Sequence, residues 1–177
     1  GQDVAARSDG SHVIVWQSAD DQDGSGWGVY GQRFNDTGAK LGPEFLINTT
    51  TASNQSQPRV AMLSDGGFVV VWYDDGGQDG SGGAVFGQRY KADGTTFGGE
   101  FRVNEYTSGS QYQPSVIGLS TGGFVVSFYN DSYGPRGDGF HYGIDMMAPM
   151  GTPLVAVKAG SVSYMAMDGD GGNEAYV

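Results

Sequence analysis

Cysteine is absent from the 177 residues, which excludes disulfides and thiolate metal sites. Basic residues are scarce: 9 Lys and Arg stand against 20 Asp and Glu, for a net charge of −11. A surface of that sign repels phosphate backbones, which argues against nucleic acid as a partner and favours solubility and hard cations. No apolar run approaches the roughly 18 residues of a membrane-spanning helix, so no membrane span is expected. Glycine, by contrast, is abundant at 32 residues. That content is too high for a helical protein and suits many short strands joined by tight turns.

An internal repeat organises most of the chain. Trp16 recurs as Trp72, Asp23-Gly24-Ser25-Gly26 as Asp79-Gly80-Ser81-Gly82, and Gly31-Gln32-Arg33 as Gly87-Gln88-Arg89, each pair 56 residues apart. Laid over each other without a gap, 1–56 and 57–112 share 24 identities in 56 positions. A third copy opens in phase, with Gln113-Pro114 over Gln57-Pro58 and Gly122 to Val126 over Gly66 to Val70. The expected divisions are therefore repeats at 1–56 and 57–112, a partial repeat at 113–139 and a different segment at 140–177. Gly1 falls in phase with Gln57 and Gln113, so the expectation is a piece of a longer, exported bacterial protein.

Each copy reads as four short strands. The first is Val4 to Arg7 (then Val60 to Leu63 and Val116 to Leu119), followed by a Gly-containing hairpin turn. The second is His12 to Trp16, repeated as Phe68 to Trp72 and Phe124 to Phe128. Phe-Val-Val-Val-Trp is apolar on both faces, and such a strand needs cover on both sides. The third, Gly28 to Phe34 and Ala84 to Tyr90, alternates. The fourth is Glu44 to Asn48 and Glu100 to Asn104, with polar links to the next copy. The fold class predicted is all-β: tandem four-stranded antiparallel repeats, propeller-like, each blade stacked between neighbours. An extended array of small β-sandwich units is the alternative. Open blade faces predict either self-association or further repeats.

The acidic loops between second and third strands are the first candidate sites. Asp21-x-Asp23-x-Ser25 places oxygen ligands on alternate residues beside glycines that bend the backbone, as Ca²⁺ requires. The second copy keeps Asp79 and Ser81 but has Gly77 in place of Asp21. Solvated turns, with Asp and Gly serving only the backbone angles, are the other reading. In the third copy the loop carries Arg136-Gly137-Asp138, a tripeptide that some adhesion receptors read, but a three-residue match in glycine-rich sequence is weak and a loop leading to the next strand is the better reading.

From Phe140 the repeat gives way to another pattern: His141-x-Gly143-x-Asp145, Ala148-Pro149-x-Gly151-Thr152-Pro153, Ala156, Gly160-x-Val162 and Gly171-Gly172-Asn173. Over about a fifth of the chain this resembles the front half of the M23 (LytM-type, lysostaphin-like) zinc metallopeptidases, which cut peptide bonds in bacterial peptidoglycan. The resemblance implies zinc at His141 and Asp145. It also implies a third ligand and an H-x-H motif, and neither is present: the only other histidine is His12, at a strand-face position. A catalytic zinc site takes three protein ligands and an open position, so this segment is incomplete and the chain by itself is expected to be non-catalytic. In repeat phase His141 overlays Val29 and Val85, which leaves an ordinary strand residue as the alternative. Asp168-Gly169-Asp170-Gly171 reads as a hairpin turn, with a cation-binding turn as the alternative.

Two functions follow. One is an extracellular or cell-surface bacterial β-repeat module, structural or binding, stabilised by calcium, with Trp27, Tyr30 and Tyr73 presented to glycans or other cell-surface ligands. The other is the amino-terminal part of an M23-like zinc peptidase acting on peptidoglycan.

Overall fold

A computed structural model describes residues 1–19, 22–105 and 107–130, and the backbone of two further strands at 164–167 and 173–176. His141, Asp145, the Arg-Gly-Asp tripeptide and the carboxy-terminal acidic turn lie outside the described residues.

The first sheet contains β1 (Gln2–Ala6), β2 (His12–Ser18), β3 (Gly28–Phe34) and β4 (Phe45–Leu46). The second contains β5 (Gln55–Met62), β6 (Phe68–Asp74), β7 (Ala84–Tyr90) and β8 (Phe101–Arg102). Both are antiparallel and keep chain order across the sheet. The third copy supplies an antiparallel pair, β9 (Gln111–Gly118) and β10 (Phe124–Asn130). In the carboxy-terminal segment β11 (Tyr164–Met167) pairs antiparallel with β12 (Asn173–Tyr176).

Local chemistry explains the repetition. The turn after each first strand closes on Gly10, Gly66 or Gly122, all near φ +90°. Each donates its N–H to the carbonyl three residues back, Arg7, Leu63 or Leu119, at about 3 Å. On the third strand Gly31 and Gly87 leave room for an aromatic ring: a Cβ there would meet Phe45 at 3.0 Å and Phe101 at 2.7 Å. The fourth strand is shorter than expected, because only two residues pair before Ile47 and Val103 add one last N–H bond to Val29 and Val85.

The first strands of the second and third blades start earlier than expected, at Gln55 and Gln111. A β-bulge causes the difference: Gln57 and Pro58 together oppose Trp72, and Gln113 and Pro114 together oppose Phe128. Proline has no N–H to give a ladder, so a bulge is where it fits. Gln57 and Gln113 both take φ +53° there.

The blades stack through their faces, forming an all-β, propeller-like assembly. β1 lies against β5 and β5 against β9, with β2 and β6 leaning on the next first strand. The first core joins Val13, Val15, Val29 and Ile47 of blade one to Val60, Phe68, Val70 and Trp72 of blade two. The second joins Ala61, Val69, Val71, Val85 and Val103 of blade two to Val116, Val126 and Phe128 of blade three. Alternate residues of one strand therefore feed opposite cores, as the two-residue period of a strand dictates. β6 is the strand covered on both sides, with Phe68 to Trp72 all buried.

Candidate functional site

Both acidic loops are held by the same bonds. Asp23 Oδ1 accepts the Ser25 backbone N–H at 3.2 Å, and Asp79 Oδ1 accepts that of Ser81 at 3.1 Å. Each is an Asx turn. The second carboxylate oxygen accepts from a side-chain amide, Asn48 at 3.3 Å for Asp23 and Asn104 at 3.0 Å for Asp79. Ser81 Oγ accepts the Gly109 N–H at 3.3 Å. Asp21 lies outside the described residues. Among the described residues no three Asp, Glu or His side chains converge as a metal-holding set. A cation at Asp23 or Asp79 would share its ligand oxygens with these donors.

The amides on the other side of those carboxylates form a buried clamp that the sequence reading passed over. Asn48 Oδ1 accepts the Val29 N–H at 2.7 Å, and Asn104 Oδ1 accepts that of Val85 at 2.9 Å. Asn48 Nδ2 lies 3.1 Å from Gln55 Oε1, and Asn104 Nδ2 lies 2.9 Å from Gln111 Oε1. The Gln amides in turn donate to the carbonyls of Ala52 and Ser108. Gln55 and Gln111 are completely buried. Buried amides are tolerable only when their hydrogen bonds are made. Each clamp ties a third strand, a fourth-strand end and the first strand of the next blade. The available signal was identity: Asn48/Asn104 and Gln55/Gln111 are retained across the copies.

Asp74, also fully buried, closes a related knot. Its carboxylate accepts from Gln55 Nε2 at 2.8 Å, Gln78 Nε2 at 2.7 Å and the Gly76 N–H at 2.8 Å. Nearby, Asp75 accepts from Asn54 through backbone and side chain and from the Ser53 hydroxyl. Burial raises its carboxyl, but these donors outweigh that and hold it below the usual carboxylate range.

At the opposite end of blade two lies a cleft of about 380 Å³ lined by Asp65, Arg89, Tyr90, Lys91, Ala92, Asp93 and Phe97. Arg89 pairs with Asp65 at 2.6 Å, and its guanidinium stands 4.7 Å from the centroid of the Phe97 ring. Phe97 is 54% exposed. The Gly67 N–H, and after it Arg89, hold the Asp65 carboxyl below the usual range. Burial pushes the Tyr90 hydroxyl up, so it stays neutral at physiological pH. Arg33 of blade one donates to the Ala92 carbonyl at 2.8 Å and also to that of Asp93, which fixes the cleft wall. The cleft thus presents an aromatic face beside a fixed cation–anion pair.

The aromatics expected at the surface divide. Trp27 is exposed and Tyr73 half-buried, but Tyr30 is buried rather than presented. Its ring stacks on Trp16 across the β2–β3 pair, at 6.4 Å between centroids.

No family model matches the chain, and no curated protein matches it. Among solved structures it is similar to an endo-arabinase from Bacteroides thetaiotaomicron, at 14% identity and a TM-score of 0.47. The match covers 89% of this chain, which spans 56% of that structure's length.

Proposed function

We propose that the chain is a structural and binding module of an exported bacterial protein: a propeller-like scaffold, non-catalytic by itself, with a ligand site in its second blade. The Arg89–Asp65–Phe97 cleft carries this reading. An exposed ring takes the apolar face of a sugar, while an adjacent guanidinium and carboxylate pair with hydroxyls. A cell-surface glycan is the ligand class that fits. Asp65 and Arg89 recur in blade one as Asp9 and Arg33, whereas Phe97 belongs to one copy only, with Leu41 at its position. Calorimetric titration with soluble cell-wall oligosaccharides tests the reading. Saturable binding weakened at least about tenfold by Phe97→Ala, with unchanged melting, is the expected result. Absence of binding by the wild-type chain contradicts it.

Calcium is proposed as a stabiliser of the acidic loops. A higher melting temperature with added calcium, reversed by a chelator, supports this, and an unchanged melting curve opposes it. The peptidase reading draws its support from the sequence pattern around His141 and Asp145. Stoichiometric zinc in the purified chain, lost in His141→Ala, would place it ahead.

A further inference from the structure

Among the described residues, the outer faces of blades one and three repeat the two sides of the interface found inside the stack. Blade two receives blade one on Val60, Phe68, Val70 and Trp72, and blade three receives blade two on the equivalent Val116, Val126 and Phe128. Counting back 56 residues, blade one carries Val4, His12, Ile14 and Trp16 at those positions. No blade covers them among the described residues. Val4 is 59% exposed where Val60 is 6% exposed. The receiving face is already organised: His12 stacks on Phe34 at 4.8 Å, as Phe68 stacks on Tyr90 at 4.6 Å in the covered copy.

The described strands of blade three, β9 and β10, carry the first- and second-strand part of the complementary set. Blades one and two insert Ala5, Val13 and Val15, then Ala61, Val69 and Val71, into the cores they share with the next blade. Blade three holds Ile117, Val125 and Ser127 at these positions. Ile117 is 51% exposed where Ala61 is 8% exposed. A polar thread runs the same way. Gln17 Oε1 accepts the Gln57 N–H at 3.0 Å, and Gln57 Oε1 accepts the Gln113 N–H at 3.1 Å. Gln17 stands in for the blade-one counterpart of Gln57, which is Gly1, and Gln113 is exposed.

We propose that a second copy of this chain docks head to tail, blade three of one molecule seating on the first-blade face of the next. The occupant follows from continuity. This surface type already binds a blade of this repeat twice within one molecule, and its complement stands on blade three, the last described copy of the repeat. Such a heterologous contact closes into a ring or extends as a filament. The inference rests on the stacked fold and is independent of the ligand in the cleft.

Sedimentation velocity on the full chain over a range of concentrations tests it. The wild type is expected to show species in steps of 18.6 kDa, growing with concentration. Val4→Asp and Ile117→Asp, both at exposed positions, are each expected to sediment as single chains with unchanged circular dichroism. Mixed together they should form a one-to-one pair, because each retains the face the other has lost. Val4→Lys and Ile117→Lys serve as a second pair if either acidic variant fails to fold. A wild type that stays a single chain throughout overturns the proposal. So does a mixture that does not pair, or an Ile117→Asp chain that still assembles, which would mark a contact between two first-blade faces.

Discussion

Blades one and two share nearly half their residues and the same four-strand layout, yet their second strands live in different surroundings. In β6 the stretch Phe68 to Trp72 is buried throughout, whereas in β2 only Val13 and Val15 are. Trp72 is fully buried and Trp16 half-buried, although each stands at the same place in strands that share Val-x-Val-Trp. The difference comes from stacking: among the described residues, blade two has neighbours on both faces and blade one has one. Burial in this fold is thus a property of the neighbour as much as of the strand.

The largest expected effect sharpens that contrast. Trp72→Ala should cost about 3–5 kcal/mol, because the ring fills a closed core that cannot fully collapse. Trp16→Ala should cost about half as much when measured at a dilution where the chain is single, since part of its ring never leaves water. Urea unfolding of both variants measures the gap, and equal losses would erase the distinction between the blades.

The clamp comes next. Asn104→Ala strips the buried Val85 N–H and the Gln111 amide of a partner, an expected loss of about 1–3 kcal/mol for each group left unsatisfied. Combined with Gln111→Ala the total should fall short of the sum of the single losses, because both variants break one network. Strict additivity in a double-mutant cycle would mean that the two side chains do not act together.

Glycine replacement separates the blades more finely. Gly87→Ala meets Phe101 at 2.7 Å, and Gly31→Ala meets Phe45 at 3.0 Å. Overpacking of this kind costs about 1–3 kcal/mol, and the second blade should suffer more. Reversed order in thermal melts would show that Phe101 moves more freely than its contacts imply.

The smallest effect concerns Asp65. Its folded pKa is depressed below the ordinary 3.8, so the stability it contributes is complete above that value and is lost as pH falls through the lower folded value. The pair is half-exposed, so Asp65→Asn should change stability by no more than about 1 kcal/mol at neutral pH. It should also flatten the acid limb of the stability profile slightly. An unaltered acid limb would remove Asp65 from the set of groups that govern it.

Much of the architecture was legible in the sequence because periodicity states it directly. The third strands, Gly28–Phe34 and Ala84–Tyr90, fall where the alternation puts them. The early start of β5 and β9 was hidden, since Gln-Pro looks like a turn until a bulge absorbs both residues. Tyr30 was misplaced at the surface because its strand gives no sign of which face Trp16 occupies. The clamp amides were hidden for another reason. Asn48 and Asn104 at strand ends, and Gln55 and Gln111 in the polar links, read as solvated, and only their partners, supplied by distant turns and the next blade, make burial favourable. The cleft was illegible because Asp65, Arg89 and Phe97 come from separate turns and strands.

The most direct test of blade stacking uses the three tryptophans, Trp16, Trp27 and Trp72. In proteins retaining one of them each, acrylamide quenching at high dilution should rank Trp27 most accessible, Trp16 intermediate and Trp72 nearly silent. Equal quenching of Trp16 and Trp72 would contradict a stack in which blade two is covered on both faces and blade one, among the described residues, on one.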